Sequence, residues 1–107
     1  MKNLGQMLKQ AQAMQAKMAE LQERLDAEEI TGTSGGGMVS VTLTGKGAAR
    51  RVAIDPKLME ASEREVLEDL IVAAFNDARA KVDAHVAESM SELTGGLSLP
   101  PGFKLPF

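Results

Sequence analysis

Apolar side chains recur at alternating intervals of three and four residues through the first quarter of the chain. The positions of this seam are Leu4, Met7, Ala11, Met14, Met18, Leu21 and Leu25. Such spacing is typical of a coiled-coil helix, in which one apolar stripe packs against a partner, and Leu8 widens the stripe. The pattern predicts a long amphipathic helix over residues 1–27.

Beyond this helix the apolar positions alternate with polar ones, which is the period of a half-buried strand. The alternation is clearest where serine and threonine separate Val39, Val41 and Leu43. Glycine-rich turns flank this strand, and further strand-like segments lie on either side of it. The sequence predicts a three-stranded antiparallel meander over residues 28–55, with turns at 35–37 and 45–47.

A second helical stripe follows the strands. Asp55 and Pro56 are typical of a strand end that leads into a capped turn, and Ser62–Glu65 has the pattern of a capping box. Apolar residues then recur at helical spacing until Gly95 and Gly96, a common helix end. They are Leu67, Leu70, Ile71, Ala74, Ala78, Val82, Val86 and Leu93. We predict a short turn and a long helix over residues 56–94.

The last segment, residues 95–107, forms a proline-rich tail. Its proline content favours a solvated terminus. Phe103, Leu105 and Phe107 together favour the alternative, a tail docked in a groove. Taken together, the elements predict one domain over residues 1–107, of class α+β and order α-β-β-β-α.

Composition adds an expectation about assembly. Aromatic residues make up only 3% of the 107 residues, with no Trp or Tyr, so the core of a single chain would be thin. A sheet of three strands also keeps two open edges, which favour pairing with another chain. We therefore expect an oligomer.

The residue types needed for catalysis are scarce. There is no Cys, and His85 is the single His, on the apolar side of the second helix, where a packed or interface role is favoured over that of a base or ligand. The glycine turns at 35–37 and 45–47 lack the following helix of a phosphate loop. We expect no enzyme, no cofactor, no metal and no small-molecule substrate.

The chain also lacks an apolar run long enough for a signal peptide or a membrane span. The sequence therefore predicts a soluble, cytoplasmic protein that has no membrane partner.

The net charge of −3 hides an uneven distribution of charge. On the first helix, basic residues fall within about 80° of one another and nearly opposite the apolar seam. They are Lys2, Lys9, Lys17 and Arg24, and Glu20 interrupts the row. Such a row is either an ordinary solvated face or a phosphate-binding surface. Because the chain shows no zinc finger, helix-turn-helix or aromatic RNA-binding strand, any DNA binding would depend on phosphate contacts.

The ordered set of segments resembles the YbaB/EbfC family of bacterial nucleoid-associated proteins. The resemblance covers almost the whole chain through LKQAQAMQAKM, ITGTSGGGMVSVTLTG, RRVAIDP, EDLIVAAFNDA and LPPGFKLPF. It implies a homodimer whose central strands associate and whose long helices project as a pair of tweezer-like arms. It also implies binding of double-stranded DNA with modest or no sequence specificity, a nucleoid-associated location, and a role in chromosome organisation or gene regulation.

The resemblance assigns roles to particular residues. The DNA-binding residues that it implies are Lys2, Lys9, Lys17, Arg24, Arg50, Arg51, Arg79 and Lys81. The strand residues at the dimer interface would be Val39, Val41, Leu43, Val52 and Ile54. An alternative function is a protein-interaction scaffold that uses the Met-rich seam and the apolar tail.

Overall fold

The computed structural model describes residues 3–94, so Lys2 and the tail at 95–107 lie outside the described residues. The chain forms two long helices and three strands in the order α-β-β-β-α, which confirms the predicted α+β class and order. The elements are α1 (Leu4–Ala27), β1 (Glu29–Ser34), β2 (Val39–Thr44), β3 (Ala49–Ile54) and α2 (Arg64–Thr94).

The three strands form an antiparallel meander with β2 in the centre. Glycines with positive φ, such as Gly36 (φ 66°) and Gly47 (φ 87°), form the tight connections at either end of β2. A bulge interrupts the β2–β3 register, since Thr42 pairs with Arg51 and Leu43 pairs with Ala49. Arg50 is therefore the extra residue of β3.

The core lies between α2 and one face of β1 and β2. The alternating apolar residues of β2 all point to this face and are buried against small side chains of α2. These residues are Val39, Val41 and Leu43 on β2, Ala74, Ala78 and Val82 on α2, and Leu58 from the preceding turn. Alanines on α2 allow the helix to approach closely, and Gly32 of β1 fits beneath Ala74 and Ala78. The period-2 pattern of the strand and the helical pattern of α2 occur in one chain because the two apolar faces pack against each other in this core.

Among residues 3–94, α1 is held to the rest of the fold only near its C-terminal end. Leu21 and Leu25 are buried against Met90 of α2. The amide of Gly45 donates to the carbonyl of Leu25 at 2.8 Å, and the ring of His85 contacts the Glu28 carboxylate just beyond the helix. The N-terminal half of α1 therefore projects as an arm.

The connection between β3 and α2 is a pair of short turns. Asp55 caps the first turn as predicted, because its carboxylate accepts from the amide of Lys57 at 2.8 Å. The capping box predicted at Ser62 is replaced by a 3-10 turn over Ala61–Glu63, and α2 begins at Arg64.

Candidate nucleic-acid interface

Three basic side chains project from one side of the arm. Lys9, Lys17 and Arg24 are exposed, and within residues 3–94 none of them takes part in an ion pair. The rise of an α-helix separates neighbouring members of this row by about 11 Å along the axis. Unpaired cations at this spacing are free to contact an extended polyanion.

Acidic residues share part of this surface. Lys17 and Arg24 border a cleft of about 340 Å³ between α1 and α2. Glu20 of α1 and Glu92 of α2 line the same cleft, so they weaken the local positive potential. Lys9, further along the arm, has no contact with this cleft, which makes the outer part of the row the more purely basic one.

Two of the predicted DNA-binding residues are engaged within the chain. Arg50 donates to the carbonyl of Asp26 at 3.1 Å, where it complements the negative end of the α1 dipole. Arg51 pairs with Glu29 at 2.7 Å. This second pair crosses β2 on the sheet face away from α2, over Thr42, which is only 4% exposed. Arg50 therefore contacts the junction of the sheet with the arm, and Arg51 makes its contact across the sheet.

The basic pair on α2 is divided between two edges of the sheet. Lys81 lies at the outer edge of β1, where its ammonium contacts Asp77 at 3.1 Å and the carbonyl of Thr31 at 3.3 Å. The amide of Thr33 also donates to Asp77 at 2.9 Å. This backbone hydrogen bond, with the nearby Lys81 ammonium, lowers the pKa of the Asp77 carboxyl below its ordinary value. Lys81 is thus already paired to an acid.

Arg79 lies at the opposite edge, beside the turn between β2 and β3. Its guanidinium pairs with Asp83 at 3.4 Å and lies against Gly47, where an added Cβ would be 2.9 Å from Nη1. The same turn carries Lys46, which is exposed. Lys46 and Arg79 therefore both lie at the β2–β3 turn. Lys46 is not among the DNA-binding residues predicted from the sequence, because its position relative to Arg79 depends on how α2 crosses the sheet.

The predicted interface residues occupy two different environments. Val39, Val41 and Leu43 are 0–2% exposed and belong to the core of the chain itself. Val52 pairs with Val41 and shares its face, yet it is 48% exposed, because α2 packs mainly against β1 and β2. Ile54 is half-buried. Only the β3 residues of the predicted set present apolar surface to solvent.

The flank of α2 beside β3 adds to this surface. Phe75 is 40% exposed and Val72 is 59% exposed. Residues three or four apart share one face of a helix, so these two lie on the same flank as Arg79, which touches the β2–β3 turn. Val52, Val72 and Phe75 thus form an apolar patch next to the open edge of β3, which we call the β3 patch. Neither α2 residue was in the predicted interface.

Among residues 3–94, no three His, Cys, Asp or Glu side chains come close enough together to hold a metal ion. In the same part of the chain, neither long helix has the length and apolar character needed to cross a bilayer.

The fold and the arm define a class: small α+β proteins in which a helix with a row of basic residues projects from a three-stranded sheet covered by a second helix. Residues 1–97 match the YbaB/EbfC DNA-binding family, so the chain belongs to that family. The sequence is 64% identical to a nucleoid-associated protein of Rhodospirillum rubrum and 58% identical to one of Granulibacter bethesdensis, in each case over the full length of both chains.

A solved structure supports the same fold. The chain is similar to an uncharacterized protein of Helicobacter pylori with a TM-score of 0.76 and 26% sequence identity. The match covers 86% of this chain and 97% of the other.

Proposed function

We propose that this protein is a homodimer of the bacterial nucleoid that binds double-stranded DNA through phosphate contacts, as a binding protein rather than an enzyme. The observation that carries the proposal is the row of exposed cations on the arm, Lys9, Lys17 and Arg24, none of which forms an ion pair within residues 3–94. The basic residues Arg51, Arg79 and Lys81, by contrast, are paired with acids of the chain. Family membership supports DNA binding over the alternative of a protein-interaction scaffold.

Phosphate contacts explain how an acidic protein can bind DNA. The chain carries a net charge of −3, but residues 3–19 of the arm hold Lys9 and Lys17 and no acid, and local charge governs a contact made within a Debye length. Each neutralised phosphate releases counterions, so affinity falls steeply as the salt concentration rises. Such contacts carry no sequence information, which favours a role in chromosome organisation or broad regulation.

Exchanging the charges of the arm tests this function. The variant Lys9→Glu/Lys17→Glu should lose most of its affinity for a duplex of arbitrary sequence in a gel-shift series against salt. Lys57→Glu/Arg64→Glu is the matched control, because it makes the same change in charge at exposed positions. Both control positions follow β3 at the end of the sheet away from the α1 junction. If the arm variant binds as tightly as the control, the phosphate-contact proposal fails.

The homodimer is proposed through the β3 patch and the adjoining open edge of β3. Every β3 residue except Ile54 is exposed, and an uncovered strand edge beside exposed apolar side chains favours pairing with a second chain. In this arrangement Val52 and Ile54 are interface residues, as predicted from the sequence. Val39, Val41 and Leu43 would support it from within the core.

Solution mass tests the dimer. Phe75→Glu should shift the protein from dimer to monomer in sedimentation equilibrium, because the introduced charge would have to be desolvated in the interface. Val66→Glu is the matched control, since Val66 is also an exposed apolar residue of α2, at 47%. A Phe75→Glu variant that keeps the mass of the parent would exclude this interface.

A further inference from the structure

The apolar seam of α1 is covered along only part of its length. Its C-terminal positions are buried against α2, as described for Leu21 and Leu25. Toward the N-terminus the same stripe is open to solvent: Leu4 is 57% exposed, Met7 is 62% exposed and Leu8 is 58% exposed. We call this open part, residues 4–14, the arm seam.

Within residues 3–94, the packing of α2 on α1 reaches as far as Met18. Leu93, near the end of α2, packs in the cluster that includes Met18. From Met18 to Leu4 the arm extends about 21 Å further. A helix in this position gains little stability from its own backbone, and most helical stability in proteins comes from packing of the apolar stripe. The arm seam is therefore suited to a helical partner.

The residues that border the arm seam indicate which helix fits. In the heptad that places Leu4 and Met7 at the two core positions, the flanking positions are Leu8, Gln10 and Gln15, and none of them carries a charge. Lys9 lies on the opposite side of the helix. Two copies of this segment can therefore pair without bringing like charges together. Further along α1 the flanking positions include the basic residues Lys17 and Arg24, which lie outside the arm seam.

From this arrangement we infer that the arm seam is a self-association surface, which pairs with the arm seam of a second copy of the chain. The contact is separate from the β3 patch, which lies on the sheet and α2. It also leaves Lys9 exposed, because pairing uses the opposite face of the helix. Two surfaces for self-association on one chain allow dimers to be joined through their arms while the basic row stays available for phosphate. The joining of DNA-binding dimers rests on the proposed function, whereas the pairing of two arm seams does not.

Cysteine cross-linking tests the pairing on the full-length chain. The sequence has no Cys, so a single introduced thiol reports one position. Under mild oxidation we expect a disulfide-linked species from Met7→Cys if the helices are parallel, or from a mixture of Met7→Cys with Ala11→Cys if they are antiparallel. Lys9→Cys is the control on the outer face and should give no such product. Equal cross-linking at Lys9→Cys and in the seam variants would overturn the inference.

Solution mass provides the second measurement. Met7→Gln/Leu8→Gln keeps good helix formers but removes the apolar surface, so the species larger than the dimer should be lost at high protein concentration. Val66→Gln, which changes another exposed apolar position, on α2 and 47% exposed, should keep them. The inference fails if the seam variant has the mass distribution of the parent.

The outcome is separable from the proposed function. A seam variant that loses the larger species but retains duplex affinity at low protein concentration supports self-association through the arm. If the parent forms arm-seam cross-links but binds no DNA, the proposed function fails and the inference stands.

Discussion

Gly32 of β1 lies so close to Ala78 of α2 that a Cβ at position 32 would be 2.1 Å from the Ala78 backbone nitrogen. The nearest neighbours are backbone atoms of α2, so no side-chain rotation can relieve the overlap. The separation between helix and sheet is therefore fixed by the absence of a side chain at this position.

Gly32→Ala should accordingly destabilise the fold. Forcing one methyl group into a packed core typically lowers the free energy of unfolding by about 1–3 kcal/mol, and the rigid neighbours favour the upper part of that range. Urea unfolding would measure the loss. Gly5→Ala is the control, because a Cβ there meets no atom within 4 Å, and alanine in a helix should raise stability by about 0.5–1 kcal/mol. If Gly32→Ala were as stable as the parent, the close contact between Gly32 and the α2 backbone would be contradicted.

Removing one arm cation at a time should change the salt dependence of DNA binding. Lys17→Gln removes one proposed phosphate contact per chain and two per dimer. The slope of log affinity against log salt should then become shallower by about 1.8. Fluorescence anisotropy at several salt concentrations would measure it. Lys57→Gln, which removes an equally exposed cation on the turn before α2, should leave the slope unchanged. An unchanged slope in Lys17→Gln would remove that residue from the interface.

Arg51 should contribute little to DNA affinity, because its guanidinium is paired with Glu29. Arg51→Gln is expected to weaken binding less than Lys9→Gln does. A double-mutant cycle of Arg51→Gln and Glu29→Gln should give a coupling energy below about 1 kcal/mol, since an exposed pair is screened by solvent. The side chains are 57% and 46% exposed, respectively. If Arg51→Gln lost more DNA affinity than Lys9→Gln, this prediction would be wrong and Arg51 would belong to the DNA-binding surface.

Acid should weaken the attachment of α2 to β1 through Asp77. Its pKa lies below the ordinary value of 3.8 because the Thr33 amide and the Lys81 ammonium favour the carboxylate. A folded-state pKa below the unfolded one means that the contribution to stability is present above about pH 4 and is lost as the pH falls through the folded-state value. Asp77→Asn should therefore be less stable than the parent near neutral pH, and the difference should shrink in acid.

Urea unfolding at several pH values would measure this effect. Asp69→Asn removes a carboxylate from an exposed position of the same helix and should reduce stability less than Asp77→Asn near neutral pH. A stability difference between the parent and Asp77→Asn that stays constant down to pH 2 would contradict the assignment.

The periodicity of the chain was sufficient to predict the fold because each element buries one face. The alternation of Val39, Val41 and Leu43 predicted a half-buried strand, and those residues do face α2. The same period in β3 was misleading about burial. Val52 has the pattern of a core residue but remains exposed, because one helix covers only about two strands of the sheet. Alternation in the sequence shows which side chains share one face of a strand. It does not show how many strands of the sheet the helix covers.

The candidate site was only partly predictable for a related reason. Basic residues on one helix could be placed by their spacing, and of the predicted row Lys9, Lys17 and Arg24 are exposed, while Lys2 lies outside the described residues. Whether a cation is paired depends on contacts between elements. The pairing of Arg51 with Glu29 crosses the sheet, and the approach of Arg79 to Gly47 joins α2 to a distant turn. Such contacts appear only after the elements are packed.

Within residues 3–94, the contacts that hold α1 lie around its C-terminal end, near Leu25. The helix is packed on α2 from about Met18 to its C-terminal end, while about 21 Å of helix extends beyond that point. A tilt of about 10° at the attachment would move Leu4 by about 4 Å at this helical rise. Small repacking around Leu21 and Met90 is therefore magnified at the far end of the arm. The cations along it would change their separation from a second arm without any change in the sheet.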